Sequence, residues 1–376
     1  MKSVFPDWGN IPCDVLCCIA SKTHPSVQDF VRMGAVCRSW QNSLKHLKPK
    51  FPICLMLTET SEDDNDNRRC FVTASEEKVM EFGLSEIRNR RCWGTPFGWI
   101  ATYGLDDQIG LFNPLTKDYL SLPPAGHNLK TDDSQSGLDF IYKVFLSSTP
   151  TSPDCIVMVI YSETNKLAFA KPGDQQWTSI ESPEYISDVT YFNRQFFVVK
   201  FTGDLLICQG LEGSSPKAIE FASRPTQLNP LNPKYIVDLG GHLCMISRYI
   251  REYEYCNEDG ELEIESLYQT DQFKMAKLDM HTRNWEIVLS LGDRSLFLGT
   301  CCTFSVLAAD YLACTSNCIY FTEERSDLYN EIYGGGFDTG IFCCDNKEIL
   351  RLPDGDDELY LSKITPPLWI HPTNSH

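Results

Sequence analysis

At 376 residues, with 42% hydrophobic and 12% aromatic side chains, the chain has material for one large domain or two to three ordinary ones. Its 33 basic against 51 acidic residues leave a formal charge of −18, which argues against non-specific nucleic-acid binding, since that needs a basic face. No apolar stretch is long enough to span a membrane and no basic segment leads into an apolar run, so the 17 cysteines are expected to be reduced, intracellular thiols.

The first elements are helical. Pro12 suits a first helical turn, where its missing N–H costs nothing. Val15, Leu16 and Ile19 then repeat at helical spacing on a face shared with Ile11. Thr23-His24-Pro25-Ser26 breaks the chain, with Ser26 the candidate N-cap of a second helix carrying Val27, Phe30 and Val31. Gly34 interrupts or bends that helix, at about 1 kcal/mol relative to Ala. A third helix carries Val36, Trp40, Leu44 and Leu47 as one stripe. Three short amphipathic helices cannot close a useful core alone, so residues 8–47 are expected to dock on a partner.

The ordered set Trp8, Ile11-Pro12, Asp14-Val15-Leu16, Ile19, Asp29-Phe30, Val36-Cys37 and Trp40 resembles an F-box, the motif that joins a protein to the Skp-type adaptor of cullin–RING ubiquitin ligases. Two positions depart from the family: Ile11 stands where Leu is preferred before the proline, and Gly34 where a longer residue is common. The resemblance implies an adaptor-binding set of Ile11, Pro12, Val15, Leu16, Ile19, Val36, Cys37 and Trp40. The competing reading is that the helices only cap the larger domain.

From Phe51 the helical period stops, and short β-branched, aromatic and aliphatic runs begin. Runs at 52–57 and 70–73 flank an acidic loop, 62–66. Runs at 98–103, 109–112 and 119–123, with an Asn113-Pro114-Leu115-Thr116 turn, make a meander. Further units occupy 154–180, 186–221, 235–288 and 303–352, each a series of strand-length runs. The fifth unit carries an acidic insertion from Glu252 to Ser266, expected as an exposed loop or an extended hairpin. Repeats of this kind read as four-stranded propeller blades. The roughly 320 residues after Phe51, at about 50 per unit, give about six blades.

The predicted fold is thus mainly β, three N-terminal helices (1–50) followed by a propeller (51–376). A large sandwich or two stacked β domains is the alternative. Propellers hide the edges of their first and last blades, so Leu368-Trp369-Ile370 is expected to pair with 53–57.

The C-terminal third adds a second resemblance. Phe273–Asp279, Trp285, Leu291–Gly299, Ser305, Asn317–Thr322 and Pro366-Pro367-Leu368-Trp369-Ile370 are similar to the propeller-type domain that follows the F-box in a large plant family, a domain formerly of unknown function. What this implies is a substrate-recognition subunit of a Skp–cullin–F-box ligase. It would act as a non-catalytic protein in the cytoplasm, the nucleus or both, binding an adaptor and an unidentified protein substrate.

No constellation points to catalysis. The histidines at 24, 46, 127, 242, 281, 371 and 376 are scattered, and neither a Gly-x-Ser-x-Gly elbow nor a phosphate loop occurs. Gly334-Gly335-Gly336 leads into a strand and reads as a blade loop. Arg294 in Gly292-Asp293-Arg294 is expected in a structural turn, paired to a carboxylate. Cys13/Cys17 and Cys314/Cys318 are four apart without nearby histidines, and the adjacent pairs at 17–18, 301–302 and 343–344 read as small core residues, so neither a metal nor another cofactor is expected. Basic runs at 45–50 and 88–91 read as solvated surface, with nuclear import the lesser reading. The main functional alternative is a propeller enzyme or small-molecule sensor with an incidental helical cap, which would require acids, histidines or arginines converging on the axis.

Overall fold

A computed structural model describes residues 11–22, 33–44, 52–58, 68–73, 76–126, 129, 137–213, 215–256, 262–299, 301–323, 336–352, 362 and 364–371. Expectations for Trp8, Ser26, Val27, Asp29, Phe30, Val31, Leu47, the acidic loop 62–66 and Gly334-Gly335 lie outside these residues. Among the described residues, α1 (Cys13–Lys22) and α2 (Arg38–Leu44), with helical backbone also at 33–35, precede a six-bladed β-propeller.

Blade 1 holds β1 (Cys54–Met56), β2 (Arg68–Thr73) and β3 (Glu76–Gly83), and blade 2 holds β4 (Arg91–Gly94), β5 (Ile100–Tyr103), β6 (Ile109–Phe112) and β7 (Tyr119–Ser121). Blade 3 is β8 (Ile141–Leu146), β9 (Val157–Tyr161), β10 (Lys166–Ala170) and β11 (Thr178–Ile180). Blade 4 is β12 (Ile186–Phe192), β13 (Gln195–Lys200), β14 (Leu205–Gln209) and β15 (Lys217–Ala222). Blade 5 is β16 (Lys234–Asp238), β17 (Leu243–Cys256), β18 (Leu262–Leu278) and β19 (Trp285–Val288). Blade 6 is β20 (Arg294–Leu298), β21 (Phe304–Leu307), β22 (Cys318–Phe321), β23 (Thr339–Cys343) and β24 (Ile349–Leu352). The last strand, β25 (Leu368–Ile370), returns to blade 1.

The strand patterns follow from blades stacking face to face. Inner strands are covered on both faces, so β9 and most of β10 are buried along their length and read as continuous apolar runs. Outermost strands such as β7 and β19 are covered on one face only, and their residues are exposed or half-buried. The six main apolar clusters each join two neighbouring blades, from Trp93 and Tyr103 against Val144 and Tyr161 round to Phe297 and Tyr320 against Leu55. The ring therefore has no open seam.

Closure is made as expected by the C-terminal strand, with Cys54 opposite Ile370, Leu55 opposite Trp369 and Met56 opposite Leu368. Alternation along β25 sends Trp369 into the interface with blade 6 and Leu368 and Ile370 into the interface with blade 2. A Cβ at position 94 would collide with the Trp369 carbonyl oxygen, so the close approach of β4 to β25 requires Gly94.

A repeated turn links the outer two strands of blades 2, 5 and 6. The N–H groups of Lys117, Arg283 and Lys347 donate to the carbonyls of Asn113, Asp279 and Cys343, at 2.9, 2.8 and 2.9 Å. All three donors have left-handed backbone, with φ of 65°, 59° and 62°. Asn113 Oδ1 accepts from Leu115 N–H at 3.0 Å, and Asp279 Oδ1 from His281 N–H at 2.8 Å, which explains Asn and Asp at these turn starts. The backbone N–H groups of Thr282 and His281 also hold the Asp279 carboxyl below its usual range.

Several strands were not anticipated. β3, β4 and β8 extend units whose other strands were recognised. β20 adds a fifth strand to blade 6, parallel to β22. Arg294 opens β20 and donates to the Ser305 hydroxyl from Nε and Nη2 at 3.2 Å, in place of the expected carboxylate. The acidic insertion of blade 5 is an extended hairpin, since β17 and β18 pair out to Cys256 opposite Leu262. Burial pushes the Cys54, Cys208 and Cys244 thiols up to about 12, the behaviour of inert core cysteines.

The closure carries a pH dependence. His371 follows β25, is buried, and its Nε2 lies 2.7 Å from the Tyr311 hydroxyl. Desolvation lowers its pKa from 6.5 to about 4. The native chain therefore holds His371 neutral while the unfolded chain takes up a proton below pH 6.5, so stability present above that pH is lost as pH falls toward 4. The full effect is on the order of 3 kcal/mol. Urea unfolding across this window should show a shallower decline for His371→Phe, which keeps the ring contact with Phe304. An unchanged slope would assign the decline to other groups.

Candidate functional site

The helical segment has a small core of its own. Leu16, Ala20 and Leu44 are buried together, with Ile11, Met33 and Trp40 packed around them. On the side of α1 facing α2, the Cys17 thiol points at the Ser43 carbonyl, 3.6 Å away. Outside this core, Val15 and Ile19 stand one turn apart on α1, 45% and 41% exposed, and Val36 before α2 is 58% exposed. Pro12 is exposed and Cys37 half-buried. The adaptor-binding set implied by sequence thus divides. Pro12, Val15, Ile19 and Val36 are presented outward, while Ile11, Cys37 and Trp40 are shared between core and surface. Leu16 is fully buried against Ala20 and Leu44. Its i, i+1 neighbour Val15 takes the outward place, because one residue turns the side chain about 100° around the helix axis.

A buried polar cluster lies where blades 2, 3, 4 and 6 meet. Cys302 N–H donates to the Gly94 carbonyl at 2.8 Å, its thiol to the Val144 carbonyl at 3.0 Å, and Thr303 Oγ1 to Asp188 Oδ2 at 2.7 Å. One short segment of blade 6 thereby touches blades 2, 3 and 4. Asp188 Oδ1 also receives Lys143 Nζ at 3.0 Å, with both side chains buried, and Asp188 Oδ2 accepts from Ile236 N–H. The Lys143 ammonium lies 5.4 Å from the Tyr235 ring centroid. These groups satisfy one another and expose nothing to a substrate. Just before this segment, Gly299 has φ of 118°, and a Cβ there would collide with Thr322.

A second buried charge cluster pins blade 5 to blade 6. Arg248 Nη2 donates to Asp338 Oδ2 at 2.8 Å, Nε to Thr270 Oγ1 at 2.7 Å, and Nη1 to the Thr322 carbonyl at 2.8 Å. Asp338 accepts in addition from Thr270 N–H and Thr270 Oγ1, and Arg351 Nη1 approaches it at 3.4 Å. Arg248 forms part of the wall of an open groove of about 740 Å³ between blades 3, 4 and 5. The groove lies on the face where β12 and β16 begin, beside the root of the β17–β18 hairpin. Its rim carries the exposed side chains of Tyr185, Phe201 and Leu231.

Neither the Lys143–Asp188 nor the Arg248–Asp338 pair is marked by the sequence pattern. Lys143 and Asp188 are single charges inside apolar strands, and that isolation was the available signal. Among the described residues no group of three His, Cys, Asp or Glu side chains is placed to hold a metal.

The profile of the KIB1-4 β-propeller family matches residues 71–343. An Arabidopsis thaliana protein with an F-box name, At5g55150, is 25% identical over 346 residues, 86% of this chain and 87% of that one. The F-box protein SKIP23 of the same organism is 23% identical, over 84% of each chain. Among solved structures, U3-55K aligns over 69% of this chain and 64% of its own at 8% identity and a TM-score of 0.33.

Proposed function

We propose that this chain, which belongs to the KIB1-4 β-propeller family, is the substrate-recognition subunit of a Skp–cullin–F-box ubiquitin ligase. The helical segment docks on the Skp-type adaptor and the propeller holds the protein to be ubiquitinated, in the cytoplasm, the nucleus or both. The observation that carries this reading is the exposed apolar set Pro12, Val15, Ile19 and Val36, around a core whose described buried residues are Leu16, Ala20 and Leu44. Such a surface, on a segment this small, gains stability by being covered. Relatives similar over some 85% of the chain bear F-box names, which agrees with it. Within the propeller, the buried Lys143 and Asp188 charges are engaged with each other.

Adaptor binding tests the reading. Fully burying a Val or Ile side chain is worth about 1.5–3 kcal/mol, and these three are already half covered, so each should contribute roughly 1 kcal/mol. Val15→Ala, Ile19→Ala and Val36→Ala combined should weaken capture of a recombinant Skp-type adaptor by well over tenfold, while the unfolding midpoint of the propeller stays unchanged. Undiminished capture would end the proposal.

A further inference from the structure

Taking the propeller as the substrate-bearing half of the chain, as in the function just proposed, we infer that the groove between blades 3, 4 and 5 holds an extended, basic peptide segment anchored by one apolar side chain.

Three observations meet there. The first is the rim. Leu231, 75% exposed, Tyr185, 58% exposed, and Phe201 surround one concavity, where a partner's apolar side chain would find cover on several sides. Tyr185 is also held at φ of 63°, a left-handed conformation rare for an aromatic residue, by its N–H on the Thr164 carbonyl at 2.7 Å and the Phe201 N–H on its own carbonyl at 2.9 Å. Strained backbone of this kind concentrates at ligand clamps, and here it sets the ring on the groove's edge.

The second observation concerns backbone. β16 pairs with β17 only as far as Ser247, opposite Lys234, whereas β17 continues to Cys256 against β18 alone. From Tyr249 outward, the edge of β17 on the groove side has no neighbouring strand among the described residues. An extended peptide can add to such an edge through main-chain hydrogen bonds, a mode unavailable to a helix.

Charge supplies the third. The groove's own cations are already engaged, Arg248 by Asp338 and Arg251 by Asp271 at 2.9 Å. Glu252 lines the groove, and the stretch from Glu252 to Glu265 holds seven acidic residues and no basic one. An acidic stretch of that composition, continuous in sequence with Glu252, attracts cationic segments and repels anionic ones, mainly through the association rate.

The test pans a phage library of random dodecapeptides against the intact chain and measures the selected peptides on variants. Enriched peptides should carry net positive charge and at least one large apolar residue. Tyr185→Asn with Leu231→Ser keeps a residue tolerant of left-handed backbone at 185 and removes the anchor cover; it should weaken binding at least tenfold. Replacing Glu252, Glu254, Glu258 and Glu261 with Gln should slow association and flatten its salt dependence. No enrichment, enrichment of neutral or acidic peptides, or binding indifferent to the groove pair would overturn the inference, the last by exposing mere attraction to a chain of charge −18. Adaptor capture by the same preparations separates the two readings. Loss of peptide binding with capture intact condemns the groove alone, and failed capture with peptide binding intact condemns the ligase role alone.

Discussion

Trp369→Ala is expected to destabilise the propeller by about 3–5 kcal/mol, the range for truncating a fully buried aromatic. Trp369 has no exposed surface and packs edge-on against Phe297 and Tyr320, with ring centroids 5.5 and 5.3 Å away. Its effect exceeds that of an ordinary core residue because it sits on the strand that joins the two ends of the ring. Trp369→Phe should cost far less: among the described residues the buried Trp369 Nε1 has no hydrogen-bond partner, so replacing the indole forfeits volume but no bond there. Deleting residues 366–376 goes further and exposes the long-range edge of β1, where Cys54, Leu55 and Met56 now face β25. That product should aggregate when purified. Light scattering and urea midpoints read both effects, and a monomeric, normally stable deletion variant would refute the closure.

Asp338→Ala should cost a similar amount, about 3–5 kcal/mol, because it strands the Arg248 guanidinium in a buried site. The carboxylate also satisfies Thr270 N–H and Thr270 Oγ1, so the loss reaches beyond the ion pair. Combining it with Arg248→Met removes the orphaned charge and should recover part of the stability, a coupling that a double-mutant cycle measures directly. If the single variant lost less than about 1 kcal/mol, the cluster would be an ornament of the packing and not the pin between blades 5 and 6.

Much of this architecture was legible in the chain because blade strands are buried on both faces. Val157–Tyr161 and Leu205–Gln209 are nearly continuous apolar runs, and the Asn113 and Asp279 turns announce themselves through side chains that cap their own backbone. The strands that escaped notice had weaker patterns. Arg91–Gly94 carries a buried arginine and a glycine, and Ile141–Leu146 interrupts its apolar run with Lys143. Arg294–Leu298 was hidden for a topological reason, since a fifth strand lying parallel to its neighbour breaks the meander that the repeat leads one to expect. On the helices, periodicity identified an apolar face but could not divide it. Leu16 and Val15 are equally apolar, and only the packing of α1 on α2 decides which is turned inward. The groove was illegible in principle, because Tyr185, Phe201 and Leu231 come from different turns and converge only when blades 4 and 5 are side by side.

The shared blade also imposes an order in time. The partner of β1, β25, is encoded more than three hundred residues after it. At roughly 5–20 residues per second, that is a wait of about fifteen seconds to a minute, during which the first three strands have no inner neighbour. A nascent chain therefore presents an unpaired edge throughout that wait, a period in which chaperone cover matters. A stop codon a few triplets before Leu368 would prolong that condition indefinitely. Truncations that remove β25 should be as damaging as losing an entire blade.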